Sequence, residues 1–306
     1  MPTTSHNPPA SGKPGSQRSA PRSSRRPEVG QTSATASYTP TAGPDRDRHQ
    51  TRTTAKAQPA RPRGLLEPCA GTPRSHGSEE GGRSNASPLS GELVGPFHEG
   101  GREWHRKGEP VEVNAYDFPY LADGKAVPYG VYDLADNSAW VSVGVTNDTA
   151  QFAVATIARW WGEMGREKYP DARRLMITAD CGGSNGNTVW LWNRELARFA
   201  AETGLEIAVC HLPPATSKWN KIEHRLFAYI SVNWRGRPLT TYETVVSLIA
   251  STTTTTGLVV RYALDPADYP TGIKLTKKEQ AEIPFERGNF HGEWNYKFTS
   301  RKPDIE

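Results

Sequence analysis

An α/β sheet layered by helices on both faces is the fold class that the sequence predicts, and three features predict it. Two short apolar runs, RRLMITAD at 173–180 and LEIAVCHLPP at 205–214, lack polar alternation and read as strands buried on both faces. Helical periodicity fills the stretches before, between and after them. A hairpin pattern at 124–148 precedes them all. Strands, helix, strand, helix, strand, helix is the order of a layered α/β domain.

In chain order, residues 1–90 are expected to form a disordered tail. They hold 13 Lys and Arg against 6 Asp and Glu, and 13 of the 25 prolines, with no Ile, Phe or Trp. So little apolar surface cannot offset the entropy of ordering the chain. The basic excess of the whole sequence (+4) lies in this tail, which is able to hold phosphates without sequence preference. The expected domain is 91–298, followed by a short tail at 299–306; all nine Trp and all eight Phe fall after residue 90, ample for one core. No run approaches the ~18 apolar residues of a membrane span, and the N-terminus lacks the apolar stretch of a signal peptide. Three cysteines without metal-ligand spacing point to a reduced, cytoplasmic protein.

Each element then has its own signal. Runs 127–134 and 139–145 flank the turn Ala135–Ser138 and form the hairpin. Asn147 or Asp148 is expected to cap the next helix, whose Ala153, Ile157, Trp160, Trp161 and Met164 recur at helical spacing; the two tryptophans read as core rather than as base-stacking platforms. A second helix over 187–203 is closed by Gly204, a third is expected over about 220–234, and a fourth over 240–253.

Two acids stand out. Asp180 ends a buried strand before the Gly-rich loop CGGSNG, and ligand sites in such sheets lie at strand carboxyl ends. The loop lacks the Lys and spacing of a phosphate-binding P-loop, and a plain Gly turn explains it equally well. Glu223 sits just past Pro213-Pro214 at the start of a helix, among Lys218, Lys221, His224 and Arg225. By itself it is a first-turn acid complementing the helix dipole. With Asp180, one helix and one strand upstream, it supplies what a two-metal phosphoryl-transfer site needs: carboxylates on a strand end and a later helix. Basic neighbours suit a nucleic-acid backbone.

A specific resemblance covers residues from about 92 to 298. The stretches ELVGPF, GREWHRKGEPVEVNAYDFP, YGVYDLADNSAWVSVG, RWWGEMGREKYPDARRLMITADCGGSNG, CHLPPATSKWNKIEHRLF, NWRGRPL and FHGEWNY resemble the catalytic region of ISAzo13-family insertion-sequence transposases. That resemblance implies an RNase H-like mixed sheet flanked by helices. It also implies Asp180 and Glu223 as the second and third acids of a DDE triad, two Mg²⁺ ions, and cleavage and transfer of DNA strands. Lys218, Lys221 and Arg225 are expected near DNA phosphates, and the DNA partners are terminal repeats and target, with a homo-oligomer assembled on them.

The first acid is missing. The family carries it on an opening strand before the Glu92–Gly95 stretch; here SNASPLSG stands there, with Ser87 at the place of the Asp and with Pro88 and Gly91 expected to spoil the strand. A frame change or mistaken start upstream is the reading of this break. Asp117, Asp133 and Asp136 are the upstream candidates to replace it; for Asp133, the best placed, a structural role in its own hairpin is the favoured reading. The expected function is therefore a DDE transposase domain in defective form, with a hydrolytic nuclease of the same fold or a non-enzymatic DNA-binding remnant as alternatives.

Overall fold

The computed structural model describes residues 80–104, 111–116, 119–214 and 216–299. The tail up to residue 79, Asp117 and residues 300–306 lie outside them. Within them, alternating β-rich runs and amphipathic stretches build a nine-stranded mixed sheet in the order β7-β4-β3-β1-β5-β6-β9-β8, with β2 pairing β3. The strands are β1 (Glu80–Pro88), β2 (Glu92–Val94), β3 (Gly124–Asp133), β4 (Ser138–Gly144), β5 (Arg174–Ala179), β6 (Glu206–His211), β7 (Val259–Asp265), β8 (Glu286–Arg287) and β9 (Asn295–Phe298). β3 runs antiparallel to β1 and β4, while β5 and β6 run parallel to β1. An antiparallel meander continued by parallel crossovers, with helices on both faces, is the RNase H-like arrangement.

The opening strand overturns an expectation. Residues 80–88 form β1, inside the sheet between β3 and β5, so the domain starts before residue 91. Pro88 does not spoil the strand because of where its missing N–H would point. The Leu89 amide donates to Pro128 O on β3 (2.9 Å), so the position before it faces β5. There the pairing has already ended at Ala86 opposite Ala179, and no ladder bond is lost. Gly91 lies beyond the strand's end.

On one face pack α1 (Ala150–Trp160) and, after α2 (Arg166–Lys168), α3 (Trp190–Thr203). α1 continues through a π-helical turn, Trp161–Gly165, into α2. Its cap is Thr149, whose hydroxyl accepts from the Phe152 amide, and not Asn147 or Asp148; the hydroxyl sits one residue later than the sequence suggested. Trp160 and Trp161 are buried in the core, as expected. α3 ends at Gly204, in the left-handed region at φ 78°, which glycine adopts without a Cβ penalty.

The opposite face carries the helix that begins at Lys221, passes through a π-helical turn, Glu223–Phe227, and continues as α4 (Ala228–Trp234), together with α5 (Tyr242–Ala250). This second layer covers β3 and β4 but only part of β5 and β6. In both of those strands burial alternates: Leu175, Ile177, Ala179, Ile207, Val209 and His211 are buried, while the residues between them are half-covered. The apolar runs are thus not buried equally on both faces, and the less covered face opens beside Asp180. A small helix, α6 (Lys277–Ala281), and the β8–β9 hairpin close the far edge.

Gly130 seats the Glu223 helix on the sheet. A Cβ there would lie 2.7 Å from the Phe227 ring and 3.0 Å from Ile222 Cδ1, so only glycine permits this approach. Gly130→Ala should therefore lift the helix. The expected loss is about 1–3 kcal/mol, as for other overpacked cores, read as a lower urea midpoint with an unchanged slope.

Candidate active site

Asp180 follows the last residue of β5, and three groups fix it. Its carbonyl meets His211 Nδ1 at 2.8 Å, His211 Nε2 meets the Tyr296 hydroxyl at 2.7 Å, and Trp192 Nε1 donates to that hydroxyl at 3.0 Å. Because a carbonyl only accepts, Nδ1 carries the proton, Nε2 accepts from Tyr296, and Tyr296 accepts from Trp192. Burial pushes the His211 pKa down, which keeps the ring neutral and this direction of donation intact. The Asp180 carboxyl is pushed up by burial, against the pull of the Gly182 amide and Asn185. Its Oδ1 is buried without a hydrogen-bond partner.

Glu223 is placed by Asn85. That side chain, buried on β1, accepts from the Ile222 amide (2.8 Å) through Oδ1 and donates to Thr178 O on β5 (2.9 Å) through Nδ2. It thus ties the first turn of the Glu223 helix to the two strands that end at the site, satisfying an amide that the helix leaves unpaired. Burial raises the Glu223 pKa, the Asp180 charge raises it further, and His224 opposes both. Asp180 and Glu223 are therefore within electrostatic reach of each other.

Ser87 stands opposite Asp180. The parallel register pairs Ala86 with Ala179, and one step on it sets Ser87 beside Asp180. Gly130, which seats the Glu223 helix, is the antiparallel partner of Ser87, so Ser87 faces that helix. Its hydroxyl is buried and has no hydrogen-bond partner. A hydroxyl occupies the point where the sequence placed the missing acid.

Of the upstream candidates among the described residues, Asp133 and Asp136 are both spoken for. Asp133 accepts from the Ala135 and Asp136 amides (2.9 and 3.2 Å) and from the Tyr169 hydroxyl (2.9 Å), at the end of β3 away from Asp180. It serves its own hairpin and does not replace the first acid. Asp136 pairs with Lys168 at the same turn.

Of the basic residues, Lys218 lies over the Trp219 ring (5.2 Å), in a turn held by His224 Nε2 against Lys218 O (2.9 Å). Lys221 is exposed at the helix start. Arg225 reaches back toward the hairpin, donating to the Tyr132 hydroxyl (3.3 Å), which donates to Asn137 (2.8 Å). It is exposed but directed away from Asp180.

Asp148 is a residue that the sequence reading took only for a cap. It follows β4, and because β4 runs parallel to β1, its loop opens at the same sheet edge as Asp180. Burial raises its pKa, and so does Asp180; Ser184 and Lys125 pull it back. The signal was the strand order, which periodicity does not reveal. Among the described residues no three His, Cys, Asp or Glu side chains already converge as a closed metal cage.

The family model described as "Rhodopirellula transposase DDE domain" matches residues 89–300. Among curated proteins none matches the chain. Two solved structures are similar over part of it. The "Mos1 transposase paired-end complex with left transposon end" is 16% identical over 53% of this chain and 45% of that chain, with a TM-score of 0.34. The simian T-cell lymphotropic virus intasome in complex with PP2A regulatory subunit B56 gamma is 11% identical over 67% and 63%, with a TM-score of 0.31. The chain thus spans less than half of the first and under two thirds of the second, and likenesses of this size carry no weight for function.

The raised Glu223 pKa gives a stability test. Below the ordinary Glu pKa of 4.5 the group is protonated folded or unfolded, and it costs nothing; the penalty appears as pH rises through the raised folded pKa. Without divalent cations, Glu223→Gln should raise the melting temperature at pH 7 by roughly 1–2 °C, the discounted effect of a half-exposed charge in a domain of this size. At pH 4 the gain should vanish; an equal gain at both pH values would assign it to packing.

Proposed function

The chain belongs to the ISAzo13-type family of transposase DDE domains, and from that premise we propose that it is the strand-transfer domain of an insertion sequence, acting on DNA with divalent cations and impaired by one absent carboxylate. One observation carries the reading: a buried, unpartnered serine, Ser87, stands beside Asp180 in the register and faces the helix that carries Glu223, the position where the third acid is expected.

The residues suit a divalent ion. Asp180 Oδ1 is a buried acceptor without a partner, and Asp180 and Glu223 are both raised by burial, with Glu223 raised further by the neighbouring charge, which a cation relieves. Asp180 and Glu223 would hold it, two Mg²⁺ being the expected complement. The chemistry such ions supply when bound is activation of the attacking oxygen and stabilisation of the leaving one. The chain's own work is positioning. His211 holds the Asp180 backbone, Asn85 holds the turn that carries Glu223, and the seat at Gly130 fixes the helix height. Lys218 and Lys221 would meet phosphates beside the acids, and Arg225 phosphates farther along the helix. The partners would be terminal-repeat and target DNA, with a second copy of the chain, in the cytoplasm.

Restoring the acid tests the proposal. Ser87→Asp puts a carboxylate beside Asp180 without changing any other residue. Metal-dependent cleavage of terminal-repeat DNA should rise at least about tenfold, because each ~1.4 kcal/mol of barrier is a factor of ten. Equal activity in both chains would mean that position 87 does not limit the reaction. Cleavage without strand transfer in S87D would favour a hydrolytic nuclease, and binding without cleavage in both chains would favour a DNA-binding remnant.

A further inference from the structure

Residues 288–294, the turn between β8 and β9, lie at the sheet edge where β5 and β6 end. The Trp294 carbonyl accepts from the His211 amide (2.9 Å), and the His211 ring in turn holds the Asp180 carbonyl. Asn187, in the loop that follows Asp180, donates to Glu293 O (3.3 Å). Hydrogen bonds thus tie the turn to both segments that leave the sheet beside Asp180.

Within the turn three rings form a ladder. His291 stacks on Trp294, with centroids 5.1 Å apart and planes 22° from parallel, and Phe290 stands at 82° to His291 with centroids 4.4 Å apart. The backbone bends sharply to bring them together. His291 lies at φ 46°, in the left-handed region that non-glycine residues seldom enter, and the Trp294 and Asn295 amides both donate to its carbonyl (2.8 and 2.9 Å). The Asn295 side chain donates to Phe290 O (3.1 Å), and Arg287 donates to Gly292 O (3.0 Å). A Cβ on Gly292 would lie 2.7 Å from Gly288 O, so glycine is needed there. His291 Nδ1 donates to Glu293 (2.9 Å), which fixes the imidazole. This strained, cross-bonded turn presents Phe290 to solvent, 62% exposed.

Size and polarity select the occupant. Among the described residues of the β8–β9 hairpin, Phe290 is the one large apolar side chain that is exposed, and Asn289, His291 and Glu293 surround it in sequence. A stable protein–protein contact buries about 800 Å² on each partner, far more than one ring offers. A nucleobase is a flat partner of the right size, and it stacks on aromatic side chains whatever its identity. Inside a duplex its faces are covered by neighbouring bases, so an unpaired base is the one that can stack here.

We propose that the Phe290–His291–Trp294 ladder is a stacking platform for an unpaired base of DNA, beside the strand end that reaches Asp180. The proposal rests on the reading of the chain as a DNA-processing domain, and adds the element that tells unpaired from paired nucleotides. It requires no metal.

Fluorescence anisotropy of the full chain on two labelled duplexes of one sequence, one blunt and one with a short single-stranded end, tests it without divalent cations. The duplex with the unpaired end should bind about fivefold or more tightly than the blunt one, the weaker end of base–aromatic stacking. Phe290→Ala should remove most of that preference, and Phe290→Trp should keep it. His291→Gly, which suits the left-handed backbone but deletes the middle ring, should weaken it. Tyr262→Ala, exposed on β7 at the opposite edge of the sheet, should leave it unchanged. With 2-aminopurine in the unpaired end, emission should fall on binding to the parent chain and fall less with Phe290→Ala, a change that a merely structural role would not produce. No preference in the parent chain, or a preference kept in Phe290→Ala, would overturn the platform and leave the DNA reading standing. Altered sedimentation of Phe290→Ala with the preference intact would also overturn it and assign the ring to a contact between copies. Failure of the parent chain to bind either duplex would overturn both.

Discussion

The buried side chain of Asn85 is the interaction on which the site depends. It sits on the strand between β3 and β5, and one amide group ties that strand to β5 and to the first turn of the Glu223 helix. Without it, the Ile222 amide would be left unpaired in the interior, a penalty larger than one hydrogen bond is worth. Around it the rest follows: the seat at Gly130 admits the helix, the register sets Ser87 beside Asp180, and His211 anchors the Asp180 backbone from the other side. Each acid is thus positioned through its backbone neighbourhood, and one Asp180 carboxylate oxygen, Oδ1, keeps no hydrogen-bond partner.

That freedom has a cost in stability and a use. Asp148, Asp180 and Glu223 all have raised pKa values, and burial is the main cause in each. Ser87, Tyr129 and the Asp180 Oδ1 atom add unpartnered polar groups at the same sheet edge. Interiors pair most such groups, so finding several at one strand end supports the proposed site. The opposite end of the sheet shows the contrast: Asp133 has three donors, and Asp136 is paired with Lys168.

Much of this is legible in the sequence alone. The hairpin, the Gly204 stop and the strands ending at Asp180 and His211 carry strong local signals, and the fold class follows from their order. Trp160 and Trp161 were legible as core because spacing alone places them on the apolar face. Three things were not legible, for separate reasons. β1 reads as coil because Gly81, Gly82, Ser84, Asn85 and Ser87 have no strand preference; neighbours on both sides impose the conformation, which is tertiary context overriding propensity. β7 and β9 are edge or near-edge strands whose patterns are short and half polar. Asp148 was hidden because its meaning depends on β4 running parallel to β1, a fact of topology rather than of sequence spacing.

The position of β1 has a consequence for what counts as a unit of folding. The family match begins at residue 89, immediately after the strand ends at Pro88. A chain cut at that boundary would keep every matched residue and lose the middle of its sheet, leaving β3 and β5 as facing, unpaired edges with a gap one strand wide. Such edges recruit any extended peptide that presents backbone donors and acceptors. In this slot the side chains at 84–87 are buried, and the amide at 85 is bonded on both sides. In this chain the segment that fills it happens to be covalently attached.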